Sequence, residues 1–210
     1  MGTKAAILLG ALGFCLTSAA SYAQEFSADV IYLDTNGKSA ADPSAGAAHA
    51  PSKLYVSGDK LRLETNGLTG LILLTDRGEH TAIALQPGKK VYQLLGAGPS
   101  QYFRAENPDD ACAAWQRIAD QKLVCEKVGP ETVNDRETVK YRNKSVSETA
   151  ITEVWIDKSL KFVIKWQSAG TGAELRNLKE EKLAAGLFEI PSNYKVANPQ
   201  KGSSKSFSRK

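Results

Sequence analysis

Between Ala150 and Val196 the chain alternates apolar and polar residues. Phe162, Ile164 and Trp166 alternate with Lys161, Val163, Lys165 and Gln167, so one face of this strand is oily and the other mostly wet. The strand before it carries Val154 and Ile156 on one face and Trp155 on the other. Asp157-Lys158-Ser159-Leu160 between them are turn formers, so the pair reads as a hairpin. A third strand is predicted over Ala173 to Leu178. The run from Leu187 to Tyr194 then reads as an apolar plug that closes the domain.

The same period of two runs upstream. Phe26, Ala28, Val30 and Tyr32 predict a first strand over Glu25 to Asp34. Residues 36–51 are rich in Ala, Gly, Ser and Pro with no large apolar side chain, which predicts a mobile loop. Leu54 and Val56 pair with Leu61 and Leu63 across Ser57-Gly58-Asp59-Lys60, where Gly58 supplies the positive φ of a tight hairpin. Turns at Asp76-Arg77-Gly78-Glu79 and Gln86-Pro87-Gly88-Lys89 separate three more short strands. Turn signals at this spacing mean an antiparallel meander. A helix interrupts it, predicted from Asn107 to Asp120. Asn107 is its cap, Pro108 its first residue, Asp109 and Asp110 complement its positive end, and Trp115 and Ile118 form its apolar face. Strands resume at Leu123 to Val128 and at Thr138 to Arg142. The reading gives about nine or ten strands against one helix.

Both ends of the chain differ from this pattern. Lys4 followed by an apolar run and by Ser21-Tyr22-Ala23 reads as a secretory signal peptide over residues 1–23, cleaved before Gln24. The run is shorter than the ~20 residues that a membrane span needs. Phe14 stands before Cys15, where a lipid-attachment site wants a small residue, so lipidation is not expected. The folded domain is then 24–196, with a disordered basic tail over 197–210. Export places the domain in the periplasm or outside the cell, with no transmembrane segment in the mature protein. The net charge of +4, or +3 without Lys4, is too mild and too much concentrated in the tail for a nucleic-acid surface.

Little in the sequence points to catalysis. His49 and His80 are the only histidines, and neither has a partner at ligand spacing. There is no G-x-S-x-G elbow, P-loop lysine or dinucleotide fingerprint, so no enzyme, cofactor or metal site is expected. Asp76 with Glu79, and Asp109 with Asp110, are explained by turn and helix-end chemistry. Cys112 and Cys125 are the only cysteines left after processing, and an oxidising compartment predicts a disulfide between them. Trp115, Trp155, Trp166, Phe162 and Tyr141 are the large apolar residues of the second half. They read either as core or as the lining of a ligand cavity, because one helix is little to cover so long a sheet.

An ordered set of motifs adds to this. Gly129-Pro130-Glu131-Thr132-Val133-Asn134, Thr138-Val139-Lys140-Tyr141, Val154-Trp155-Ile156-Asp157 with Leu160, and Leu187-Phe188-Glu189-Ile190-Pro191 follow one another. The set resembles secreted single-domain proteins of the LolA/LolB-like, or lipoprotein carrier, superfamily over about Lys53 to Val196. The resemblance implies a mainly β fold, a strongly curved antiparallel sheet forming an incomplete barrel, with one or two helices on the concave face. It also implies a lipid-class ligand, such as a lipid or a lipoprotein acyl chain. The chain departs from the carriers proper in two ways: no amphipathic helix opens the mature sequence, and the carriers' lid arginine has no counterpart. Phe162, Ile164, Trp166 and Tyr141 are the expected cavity lining. The competing expectation is a structural or protein-interaction envelope domain with a self-filled core.

Overall fold

A computed structural model describes residues 24–34, 36, 51–65, 71–95, 103–119, 122–146 and 150–197. The expected signal peptide, nearly all of the Ala-rich loop, and the tail beyond 197 lie outside them. The described chain forms one twelve-stranded sheet, curved but not closed. The first meander comprises β1 (Glu25–Leu33), β2 (Ser52–Ser57), β3 (Lys60–Glu64), β4 (Ile72–Asp76), β5 (Thr81–Gln86) and β6 (Val91–Leu95). After α1 (Ala111–Ile118) comes a second: β7 (Leu123–Val133), β8 (Arg136–Ser145), β9 (Ile151–Asp157), β10 (Phe162–Ser168) and β11 (Thr171–Glu180). The two join where β1 pairs with β11, so the chain's first and eleventh strands form the central seam.

The predicted hairpins form in the predicted register. Leu54 pairs with Leu63 and Val56 with Leu61, and Gly58 has φ 56°. The β7–β8 hairpin is longer than the sequence predicted. Asn134 and Asp135 both take positive φ, 48° and 61°, which makes a two-residue turn whose twist suits right-handed strands. Gly129-Pro130 does not break β7. Gly129 sits at φ 144° where the register shifts, and Pro130 lies on an edge strand, where sheets tolerate a residue without an N–H.

Helix α1 starts later than expected. The Asn107 side chain accepts from Asp109 N at 3.1 Å and its carbonyl from Asp110 N at 3.1 Å, which closes a separate turn first. Asp110 holds the cap position without a side-chain bond. Instead the Tyr141 hydroxyl accepts from Ala111 N at 3.3 Å, serving one of the donors that a helix start leaves free, and donates to Pro108 O at 2.8 Å. Trp115 is fully buried as expected, but Ile118 is 37% exposed and is not part of the packed face. Asp120 lies outside the described residues.

Cys112 and Cys125 form the disulfide, with 5.4 Å between their Cα atoms. It ties the first turn of α1 to the edge strand β7. Alkylation without reductant should therefore label neither cysteine in the mature protein. Replacing both by serine should cost up to about 3 kcal/mol on the loop-closure model, read as a lower melting temperature.

The closing segment corrects the sequence reading. Residues Leu187, Phe188, Ile190 and Tyr194 are only partly buried. The segment makes a 3-10 turn at Ala185–Phe188 and ends in β12 (Lys195–Val196), which pairs parallel to β6 at the far edge. Arg62 Nη1 donates to Leu187 O at 2.8 Å. Arg62 alternates with Leu61 and Leu63, so the segment lies on the outer face of the first meander. By the same alternation Leu74 and Leu85, both buried, point to that face. The segment is a strap over the outside of the sheet and does not plug its interior.

Candidate functional site

Strand β10 does not keep a strict period of two. The register pairs Val163 with Ile156 and Lys165 with Trp155, leaving Ile164 as the extra residue of a bulge. The run Phe162-Val163-Ile164 is therefore buried as a whole, and all three residues face one cavity together with Trp166. Val163 is thus not on a wet face.

This cavity has a volume of about 320 Å³. It lies on the concave face of the first meander and the seam. Val30 and Tyr32 of β1, Leu61 and Leu63 of β3, and Leu95 of β6 line it. Ala82 and Ala173 do so as well. Ala173 stands in register between Trp166 and Tyr32, so a methyl group faces the cavity between two aromatic neighbours. Small side chains among large ones leave room that a packed core would fill. The lining carries no charged side chain. Thr75, Tyr32 and Trp166 bring its side-chain polar atoms.

The structure brings three of the four expected lining residues together: Phe162, Ile164 and Trp166. Tyr141 lies elsewhere. It packs beneath α1, edge-on to Trp115 with ring centroids 5.5 Å apart, and burial pushes its hydroxyl above the ordinary value. Trp115, Val139, Ile156 and Val163 complete that second cluster. Trp155 is also outside the cavity. Lys140 and Lys165, its register partners on either side, stand 4.6 and 4.7 Å from its ring, and its Nε1 donates to Glu131 at 2.6 Å. Burial raises the Glu153 carboxyl, but its ion pairs with Lys140 and Arg142 outweigh this and hold it below the ordinary value. Charge is thus gathered on the face away from α1.

One wall of the cavity has no precedent in the sequence reading. Strand β11 pairs with β10 only from Lys165 onward, which leaves the start of β10 open on that side. Residues 103–105 fill the gap. Val163 N donates to Phe103 O at 2.8 Å, and Ala105 N to Lys161 O at 3.0 Å. Phe103 then stacks on Phe162 at 6.0 Å, and Phe162 meets Phe26 edge-on at 5.2 Å. Arg104, between them, bridges to Phe162 through its backbone.

The residues weighed for chemistry stay apart from this cavity. His80 sits in an exposed turn at φ 52°, and His49 lies outside the described residues. Asp76 accepts from Glu79 N at 3.1 Å within its own turn, and Asp109 pairs with Lys127 at 3.0 Å on the surface. Among the described residues no group of three His, Cys, Asp or Glu side chains is placed to hold a metal, and no helix is long and apolar enough to cross a membrane.

No protein-family model matches the chain, and no curated protein is significantly similar to it. Solved structures are similar in fold. PNGF-II has a TM-score of 0.51 at 12% identity, with 84% of this chain and 31% of that chain covered. An uncharacterized conserved protein from Thermus thermophilus has a TM-score of 0.50 at 10% identity, with 83% of this chain and 90% of that chain covered. The chain thus spans 31% of the length of PNGF-II. Matched folds also include the Mycobacterium tuberculosis lipoprotein LppX and a putative outer membrane lipoprotein-sorting protein domain from Vibrio parahaemolyticus, at TM-scores of 0.34 and 0.28. At these identities the likeness is one of fold alone: a curved antiparallel sheet, mainly β, that does not close into a barrel.

Proposed function

We propose that this protein is an exported binding protein for an apolar ligand, a lipid or acyl chain held in the concavity of its sheet. The observation that carries the reading is the cavity of about 320 Å³ bounded by Tyr32, Leu63, Phe162, Ile164, Trp166 and Ala173. Its size is at the small end for ligand pockets, which suits one acyl chain better than several. The signal-like residues 1–23 and the Cys112–Cys125 bridge support export to an oxidising compartment, where such a ligand would be met. The rival, a structural domain with a self-filled core, leaves the room beside Ala173 unexplained.

Titrating dodecanol into the protein and following tryptophan fluorescence tests the proposal. Saturable binding near one-to-one is expected, with affinity that rises with chain length and hardly depends on salt. Ala173→Leu should fill the cavity and weaken binding at least tenfold, while costing no more than about 1–3 kcal/mol of stability from overpacking. Unchanged binding in a folded Ala173→Leu protein would place the ligand elsewhere. No saturable binding in the wild type would favour the rival.

A further inference from the structure

Beside the apolar cavity lies a pocket of about 10 Å³ that shares Leu61, Thr75 and Phe162 with it as a common wall. Arg104 lines this small pocket. Its Nη2 is buried and has no hydrogen-bond partner among the described residues, and the same is true of Thr75 Oγ1. A buried guanidinium nitrogen without an acceptor is costly, as is a buried hydroxyl. The carboxylate that lines the same pocket, that of Asp59, does not relieve it. Asp59 is already held by Arg77, whose Nε and Nη2 both stand 2.9 Å from its Oδ1. Burial pushes the Arg104 guanidinium below its ordinary value, and repulsion from Arg77 adds to this, while Asp59 offsets only part. The protein thus sets one unpartnered cationic donor in a small pocket that Asp59, Lys60 and Arg77 also line, and one unpartnered hydroxyl on the wall that this pocket shares with an uncharged, apolar cavity.

We propose that Arg104 and Thr75 form the headgroup subsite of this cavity and that its ligand is a single-chain carboxylic acid, its carboxylate on Arg104 Nη2 and Thr75 Oγ1 and its chain along Phe162, Ile164 and Trp166. The inference rests on the cavity reading above and names the ligand class for the same site. An Arg–carboxylate hydrogen bond is charge-assisted and gains strength where water is excluded. The pocket has room for about one water-sized group, which fits a carboxylate oxygen and excludes a bulky zwitterionic or sugar headgroup. A triacylated lipoprotein terminus carries no such carboxylate and needs a larger space.

The test compares dodecanoate, dodecanol and dodecyl phosphate on the full mature chain at neutral pH, by calorimetric titration. Dodecanoate is expected to bind roughly tenfold or more tightly than dodecanol. Arg104→Gln should bring the acid down to the affinity of the alcohol and leave the alcohol unchanged. Thr75→Val should narrow the gap in the same direction, and it supplies a second variant if Arg104→Gln folds poorly. Lowering the pH through the carboxyl range should weaken the acid only. Equal affinity of acid and alcohol in the wild type, or a preference for the acid that survives both substitutions, would overturn the headgroup subsite and leave the apolar cavity standing. Tighter binding of dodecyl phosphate than of dodecanoate would overturn the carboxylate assignment. If neither dodecanoate nor dodecanol binds, the cavity reading itself fails.

Discussion

Replacing Asp157 by alanine is expected to cost roughly 3 kcal/mol of folding stability. Its side chain is 2% exposed and ends β9 where the hairpin to β10 turns. The carboxylate accepts from Ser159 N at 2.9 Å and Leu160 N at 2.7 Å, and it pairs with Arg136. Alanine would leave Leu160 N without an acceptor beneath its own buried side chain, and Ser159 N, in an exposed residue, without its side-chain acceptor. Each buried donor left so costs about 1–3 kcal/mol. Arg136 would lose less, since it is partly exposed and keeps Glu180 at 2.9 Å. Both N–H groups donate to the same oxygen, so Asp157→Asn can keep both bonds, loses only the charge that faces Arg136, and should cost less than half as much. Urea unfolding of the oxidised protein measures both. A loss below about 1 kcal/mol for alanine would show that the turn stands without its carboxylate.

This turn also shows what the sequence could reveal. Asp157-Lys158-Ser159-Leu160 was legible because turn formers there stand between alternating strands. The hairpin at Gly58 was legible for the same reason. The turn at Asn134-Asp135 was not, because it has no glycine, and Gly129-Pro130 upstream looked like the break. The bulge at Ile164 had a signal, three apolar residues in a row, which strict alternation hides. The strap was misplaced because periodicity reports that Leu187 and Phe188 want cover, not which face of a sheet will give it. Residues 103–105 carried no usable signal. Their partners, Lys161 and Val163, lie far along the chain, and pairing at that range is a property of the fold. The candidate site was therefore half legible: β10 supplied Phe162, Ile164 and Trp166, while Phe103, Thr75 and Arg104 needed the structure.

Trp115 and Trp166 are expected to lose different things when each becomes alanine. Trp115 is 1% exposed and packed among Tyr141, Val139 and Ile156 under α1. Its truncation should cost roughly 3–5 kcal/mol, with ligand affinity unchanged in the fraction that stays folded. Its indole Nε1 has no hydrogen-bond partner among the described residues, so Trp115→Phe removes an unsatisfied donor and should recover most of that loss. Trp166 is only partly buried and touches both clusters while lining the cavity. Because one side of it faces open volume, it has fewer neighbours to lose. Its truncation should cost roughly 1–2 kcal/mol and weaken dodecanol binding at least tenfold. Thermal unfolding and titration of the two variants side by side separate core from site. If Trp166→Ala proved as destabilising as Trp115→Ala and left binding intact, the ligand would not lie along β10.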